Sequence, residues 1–410
     1  MQRLTNTVKQ YAWGAASGIP EILGREPDGT PAAELWVGAH PGAPSRVDGT
    51  GLDDLIAQDP VRHLGETSIA RFGARLPFLL KVLSAGTALS IQSHPSLEQA
   101  ARGFAAEEAA GIPRDAPHRS YRDEWHKPEL LHALGEFHAL CGLRPLPAVR
   151  ATLQRFETAL ADTGAPSAQR QSLAAWQAAL AQPDEALALR DAVVLVLSDP
   201  GRFGSLADTL AGVLADPASG RVDSDHPSHE GSSVDPVLTL LETHADFPGD
   251  AGALVAVLLR RYLLQEGESL ALESGILHAY LRGVGVEIMS SSDNVLRGGL
   301  THKHTDVPEL VRTVRFDTRA PQVLTVDDSA ELRGTTDDFV LTVLSRVRDR
   351  RLTRPGPLTA LCTSGSFTLD TGAQTLTLRR GEAVFVGADE ARPAVTGEGA
   401  LFVASTALTA

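Results

Sequence analysis

Residues 265–304, QEGESLALESGILHAYLRGVGVEIMSSSDNVLRGGLTHKH, constrain what this chain can fold into more than any other stretch. Apolar and polar residues alternate over short runs, the pattern of strands with one buried face. Leu270 and Leu272 mark one strand, the sequence Glu273-Ser274-Gly275 its exit, and residues 276–281 the next strand. Along that strand His278 and Tyr280 share one face, while Leu277 and Leu281 share the other. Gly283 and Gly285 predict a tight turn. After it Val284, Val286 and Ile288 line one face, and Glu287 and Met289 the opposite one. His278, Tyr280 and Glu287 thus point from adjacent strands into one space, as in a small barrel that encloses a site.

A chain of 410 residues exceeds one ordinary core and predicts two or three domains. The net charge of −14, from 37 basic and 51 acidic residues, argues against nucleic acid or an anionic membrane as the main partner. No apolar run is long enough to span a bilayer, and the first residues, MQRLTNTVKQYAWG, hold no segment of the signal-peptide type. Cys141 and Cys362 give no disulfide framework, so the expected compartment is a reducing cytoplasm. Only four basic residues are lysine (Lys9, Lys81, Lys127 and Lys303), and only Asn6 and Asn294 are asparagine. A composition so depleted retains these types where Arg or Asp cannot substitute, because an ammonium is a compact charge with a tunable pKa. Lys127, Lys303 and Asn294 each lie in a stretch that stands out on other grounds.

Residues 1–60 read as β-rich; Trp36 is expected in the core, and Trp13, beside Gly14, is a candidate wall for a sugar site. Residues 76–95 read as a hairpin turning at Ala85-Gly86, whose return strand places Gln92 and His94 on one face; a helix is expected after Pro95. In His126-Lys127-Pro128-Glu129, Pro128 stiffens the backbone ahead of Glu129, a hard-oxygen ligand type. From 146 to 247 apolar residues recur at helical spacing (Leu153, Phe156, Leu160; Leu173, Trp176, Leu180; Leu187, Val193, Val196), which predicts a helical insert. Within it residues 216–236 are polar and predict a mobile loop that is dispensable for activity. The tail holds an internal echo: Gly267-Glu268 recurs 114 residues later as Gly381-Glu382, and the same offset pairs Gly283 with Gly397 and His278 with Arg392. A second barrel with an arginine at the ligand position is therefore expected to bind no metal.

Gln92, His94, Glu129 and His278 make a set of two imidazoles, a carboxylate and an amide. Widely spaced in sequence and free of cysteine, the set suits catalytic rather than structural zinc. Four segments closely resemble the type I mannose-6-phosphate isomerase family: residues 76–95 through Ile91-Gln92-Ser93-His94-Pro95; His126-Lys127-Pro128-Glu129 with 141–145; His278-Ala279-Tyr280; and Ser292-Asp293-Asn294-Val295-Leu296-Arg297 through Thr301. The resemblance implies a mainly β chain, with a cupin-type jelly-roll catalytic barrel formed by 1–145 and 248–325. It further implies an inserted α-helical domain at 146–247 and a C-terminal cupin-like β domain at 326–410. It also implies one zinc ion on Gln92, His94, Glu129 and His278, and a catalytic arginine at Arg297.

The implied reaction interconverts mannose 6-phosphate and fructose 6-phosphate by moving a proton between C1 and C2 through an enediol. Glu287 or His126 is the base by residue type. Lys127 is suited to stabilise an enediolate, and Arg297 to fix an oxyanion or the phosphate. Asp293 is expected to orient Arg297 or a sugar hydroxyl, and Lys303 to add positive charge. Tyr280 and Trp13 complete the substrate-binding set. A metal-dependent cupin oxygenase is disfavoured by Gln92 among the ligands. A non-catalytic phosphosugar-binding cupin would not need Arg297 and Lys127. The expected partner is a small phosphosugar, and the expected state a monomer or weak homo-oligomer.

Overall fold

The computed structural model describes residues 1–215, 234–326 and 329–409. Nearly all of the expected loop at 216–236 therefore lies outside the described residues.

Two large antiparallel sheets, a two-stranded ribbon of Arg46–Val47 with Thr50–Gly51, and a helical layer build the described residues. The larger sheet runs, in spatial order, Val323–Thr325, Glu268–Leu272, Glu129–Ala133, His278–Ser290, Phe78–Ala85, Glu34–Val37 and Thr7–Lys9. Four shorter pairings extend it: Gln92–Ser93, Phe137–Leu143, Leu259–Leu264 and Leu296–Arg297. This is the antiparallel cupin-type architecture.

Its organiser is the strand His278–Ser290, which corrects the expected turn at Gly283-Gly285. The strand continues through both glycines and changes partners there. Its first half pairs with Phe137–Leu143 (His278 opposite Cys141), and its second with Phe78–Ala85 and Glu129–Ala133 (Met289 opposite Glu129). A register shift between Tyr280 and Arg282 and a φ of +123° at Gly283 make the bend. A Cβ at Gly283 would lie 2.7 Å from the Glu136 carbonyl, so only glycine fits. The hairpin expected at 76–95 is also corrected. Gln92–Ser93 pairs with the strands at His278 and Leu296–Arg297, not with Phe78–Ala85. The intervening backbone is drawn off instead, Leu89 N–H donating to Tyr280 O at 2.8 Å. The helix expected after Pro95 is Leu97–Ala109, closed by a Ser96–Gln99 capping box.

Helices Leu146–Asp162, Ser167–Ala179, Glu185–Ser198, Pro200–Leu214, Pro236–Asp246 and Gly252–Val257 form the helical layer. Their shared core holds Leu153, Phe156, Leu173, Trp176, Val193 and Val196, each large apolar side chain contributing roughly 1.5–3 kcal/mol by burial. Leu187, expected on that apolar face, is instead 40 % exposed, and Ala188 and Leu189 take the buried positions. None of the described helices is long and apolar enough to cross a membrane.

The smaller sheet runs Gln2–Leu4, Ala383–Val386, Leu358–Asp370, Ala394–Ser405, Val340–Arg351 and Ser329–Arg333, with Thr375–Arg379 on Leu358–Asp370. The chain's first strand thus completes the sheet of its last eighty residues. Period-two alternation sorts its side chains. Phe385, Phe402 and Ala404 pack against Val82, Val286 and Ile288 of the larger sheet. Val384, Val386, Leu401 and Val403 close a separate apolar interior.

Candidate metal centre and cleft

Inside the larger sheet the ends of three strands bring His94, Glu129 and His278 together, all 2 % exposed or less. His94 Nε2 lies 3.3 Å from Glu129 Oε1, and His278 Nε2 lies 3.4 Å from Glu129 Oε2. Each imidazole has its other nitrogen on a backbone carbonyl: His94 Nδ1 on Asn294 O at 2.7 Å, and His278 Nδ1 on Ile276 O at 3.0 Å. A carbonyl only accepts, so both Nδ1 atoms carry a proton, and both Nε2 atoms face the carboxylate.

Burial, with the Lys127 charge behind it, pushes His94 down to about 4, so its ring is neutral near pH 7. Burial opposes ionisation of Glu129, but Lys127 and the imidazoles outweigh it and hold the carboxyl well below the usual range. The neutral His94 ring and the His278 ring therefore turn their Nε2 atoms to the two oxygens of one buried anion. His94 Nε2, His278 Nε2 and Glu129 Oε2 have no hydrogen-bond partner. Their ligand atoms lie within 4.8 Å of one another. Buried polar atoms left in this way need a counter-charge, and a divalent cation fits this donor set. Gln92, in register with both His278 and Arg297, lines the adjoining cleft beside Glu129.

That cleft has a volume of about 600 Å³. Lys127 stands at its metal end, Nζ 2.9 Å from Glu129 Oε1. Behind it lies a second charged group. Glu287 receives the Tyr280 hydroxyl at 2.9 Å, and Lys81 Nζ lies 3.6 Å from Glu287 and 3.3 Å from Glu34. The bend at Gly283 lets Tyr280 and Glu287, on two halves of one strand, meet side by side. Burial and the nearby Glu129 charge push the Glu287 carboxyl up to about 7, against the pull of Lys81 and Lys127. Burial also raises Tyr280 far above its ordinary value, so it stays a neutral donor. Lys81 is raised too, but by charge: burial disfavours the ammonium, and Glu34, Glu287 and Glu129 prevail and hold it protonated.

The open end of the cleft is cationic. Arg297 and Lys303 line it with Trp13 and Phe247. Both cations are pushed down, first by burial and then by like charge, Arg122 included. Among the described residues no carboxylate pairs with either. Trp13 stacks on Tyr11 with ring centroids 5.7 Å apart.

Two expected site residues are placed elsewhere. His126 turns its Nε2 to Asp338 at 3.0 Å, in a separate small cavity beside the C-terminal sheet, so it is no candidate base for this cleft. Asp293 faces His40 at 3.4 Å and is half-exposed; it makes no ion pair with Arg297 among the described residues, though its charge is felt at Lys127 and Tyr11 of the cleft. Conversely, Lys81 and Glu34 were not picked out from the sequence. The lysine shortage was the usable signal: Lys81, Lys127 and Lys303, three of the four lysines, line this cleft.

Fold and site define a cupin-type barrel with a buried cation site opening on a cleft lined by both carboxylates and cations. Residues 1–146 match the family described as phosphomannose isomerase type I, catalytic domain. The chain is similar to the mannose-6-phosphate isomerase of Escherichia coli (strain K12), 38% identical and covering 98% of each chain. It is also similar to that of Bos taurus, 33% identical over 76% of this chain and 72% of the relative. Among solved structures it is similar to a crystal structure of mannose 6-phosphate isomerase bound with zinc and yttrium. There the TM-score is 0.82 at 33% identity, over 100% of both chains. The chain belongs to the type I phosphomannose isomerase family.

Proposed function

We propose that the cleft interconverts mannose 6-phosphate and fructose 6-phosphate, with one zinc ion held by Gln92, His94, Glu129 and His278. The observation that carries this reading is the convergence of two imidazole Nε2 atoms on a buried carboxylate, 3.3 and 3.4 Å away, next to a buried carboxyl pushed up to about 7. Zinc bound there supplies Lewis acidity toward the C1 and C2 oxygens of the sugar.

The chain's own residues do the rest. Glu287 is the base for the proton that moves between C1 and C2, its value suited to accept and return it near neutral pH. Tyr280 and Lys81 hold that carboxylate in place. Lys127 offers its ammonium to the developing enediolate. Arg297 sets its planar fork against the developing oxyanion or the phosphate, Lys303 adds positive charge for the phosphate dianion, and Trp13 walls the sugar. The proposal extends to organisation: 1–145 with 248–325 as the catalytic unit, 146–247 as helical insert, and 326–410 as a β unit without metal. The reading includes a cytoplasmic monomer or weak homo-oligomer.

The test is metal analysis of the purified protein together with an isomerase assay on mannose 6-phosphate. One zinc per chain with turnover is the expected result. Zinc and phosphosugar binding without turnover would establish a sugar sensor instead.

A further inference from the structure

Asn294 has no part in the chemistry above, yet it is one of only two asparagines in the chain and is 0% exposed. Every polar atom of its side chain is engaged. Its Oδ1 accepts from the backbone N–H of Arg122 at 2.7 Å and of Asp123 at 3.3 Å. Its Nδ2 donates to the carbonyls of Asp123 at 2.7 Å and Trp125 at 2.8 Å. Its own N–H goes to Ser292 Oγ at 3.2 Å, and that hydroxyl donates to Asp123 Oδ1 at 2.8 Å. The pattern needs an acceptor and a two-hydrogen donor on one short side chain, which asparagine alone offers. Aspartate keeps the acceptor but sets a second oxygen against two carbonyls.

The residue clamped in this way turns its backbone carbonyl on His94 Nδ1 at 2.7 Å. We infer that Asn294 is a positioning residue for the metal centre: its side chain fixes the peptide whose oxygen holds the His94 proton on Nδ1 and aims Nε2 at Glu129 and His278. Histidine ligands in metal sites commonly donate their second N–H to such a carbonyl, which fixes ring orientation and basicity. His278 obtains the same support locally, from Ile276 two residues earlier. His94 obtains it across 200 residues of sequence, from a peptide that the Asn294 side chain clamps on one side while the pairing of Leu296 with Ser93 and the Asp293 N–H on Asp123 hold the flanking backbone. The inference rests on the proposed zinc site, and on this chain's own bonds for everything else.

The experiment measures zinc affinity of the full-length protein by competition against a chromogenic chelator, for wild type, Asn294→Asp and Asn294→Ala. Far-UV circular dichroism and melting are recorded on each metal-free sample. Folded variants should bind zinc about ten- to a hundredfold more weakly, with substrate KM little changed at saturating zinc. Affinity within twofold of wild type in a folded variant would overturn the proposal and leave Asn294 a loop clamp only. Should both variants fail to fold, the wild type still decides. Long-range ¹H–¹⁵N spectra of the metal-free protein should show His94 protonated at Nδ1, and a proton on Nε2 would refute the inference. Wild-type protein that binds no zinc would defeat the proposed function, while the tautomer would still report on Asn294.

Discussion

The two sheets share a plan and differ in what they enclose. In the larger, Glu268–Leu272 is followed by the long bent strand His278–Ser290; in the smaller, Ala383–Val386 is followed by the long Ala394–Ser405. The spacing of 114 residues that relates Gly267 to Gly381 carries through both pairs. It sets Ile288 against Phe402, and both pack in the core shared by the two sheets. On the opposite face the correspondence breaks. Tyr280 becomes Ala394, Glu287 becomes Leu401, and His278 becomes Arg392. Leu401 sits in an apolar interior with Val384, Val403 and Phe367. Arg392 spends its guanidinium on the carbonyls of Gly356, Gly387 and Glu390 at 2.6–3.0 Å. One sheet filled its interior with hydrocarbon. The other keeps buried charges and orphaned nitrogens there, an arrangement that costs stability unless a ligand completes it.

The sharpest way to break that contrast is to remove what completes the polar interior. Dialysis against a chelator should bring isomerase activity to background, and added zinc should restore it. His278→Ala should do the same irreversibly. Circular dichroism followed through the dialysis should change little, because two large apolar cores remain, and metal binding adds stability only by mass action on a preformed site. A spectrum that collapses in step with activity would make the metal structural.

Next in size is Glu287. Glu287→Gln keeps the shape and the Tyr280 contact but removes the base, and kcat should fall about 10²–10⁴-fold. The pH profile gives the sign. Glu287 must be ionised to accept a proton, and burial with Glu129 pushes its carboxyl up to about 7. Activity should therefore be lost as pH falls through that region. Zinc on Glu129 cancels part of the repulsion, so the loaded enzyme's acid limb should lie at or below this value. An acid limb unchanged in Glu287→Gln would move the base elsewhere.

The same contrast explains what could be read from sequence. Period-two alternation revealed which faces of 284–289 were apolar, and helical spacing revealed the insert, because both patterns follow from burial of local neighbours. The family motifs carried the two histidines and the glutamate that the fold brings together. What the sequence hid was partner choice between distant strands. Nothing local says that Gly283 bends a continuous strand rather than ending it, since glycine serves both. Nothing local says that Gln92–Ser93 pairs with Leu296–Arg297, or that His126 turns to Asp338 while its neighbour Lys127 faces the cleft. Lys81 was hidden by its surroundings, a single cation in a buried apolar strand, where only Glu34 and Glu287 from other segments give it meaning.

At the cleft mouth the expected effect is smaller. Arg297 presents a planar fork with no carboxylate partner among the described residues, and Arg297→Lys keeps the charge while losing the geometry. Steady-state kinetics on mannose 6-phosphate should show kcat reduced about tenfold to a hundredfold, with circular dichroism unchanged. A lysine variant with normal kcat would make Arg297 a generic counter-charge.

The smallest expected effect tests the other side of the comparison. Arg392→His installs, in the smaller sheet, the residue that the offset pairs with His278. A lone imidazole binds zinc weakly, and a tight site needs three or four ligands converging with a supporting shell. Around position 392 the structure offers the carbonyls of Gly356, Gly387 and Glu390 and the charges of Glu390 and Asp389, and among the described residues no second group of converging histidine and carboxylate ligands forms there. Zinc stoichiometry should therefore stay at one per chain, and isomerase activity within about twofold, the change of a site outside the transition state. The cost should appear in stability instead. Losing a charged donor to buried carbonyls removes about 1–3 kcal/mol, which a melting curve would register as a lower Tm. A second tight zinc in Arg392→His would mean that the smaller sheet retains a latent ligand shell, and that one arginine, rather than the whole apolar interior, separates the two sheets.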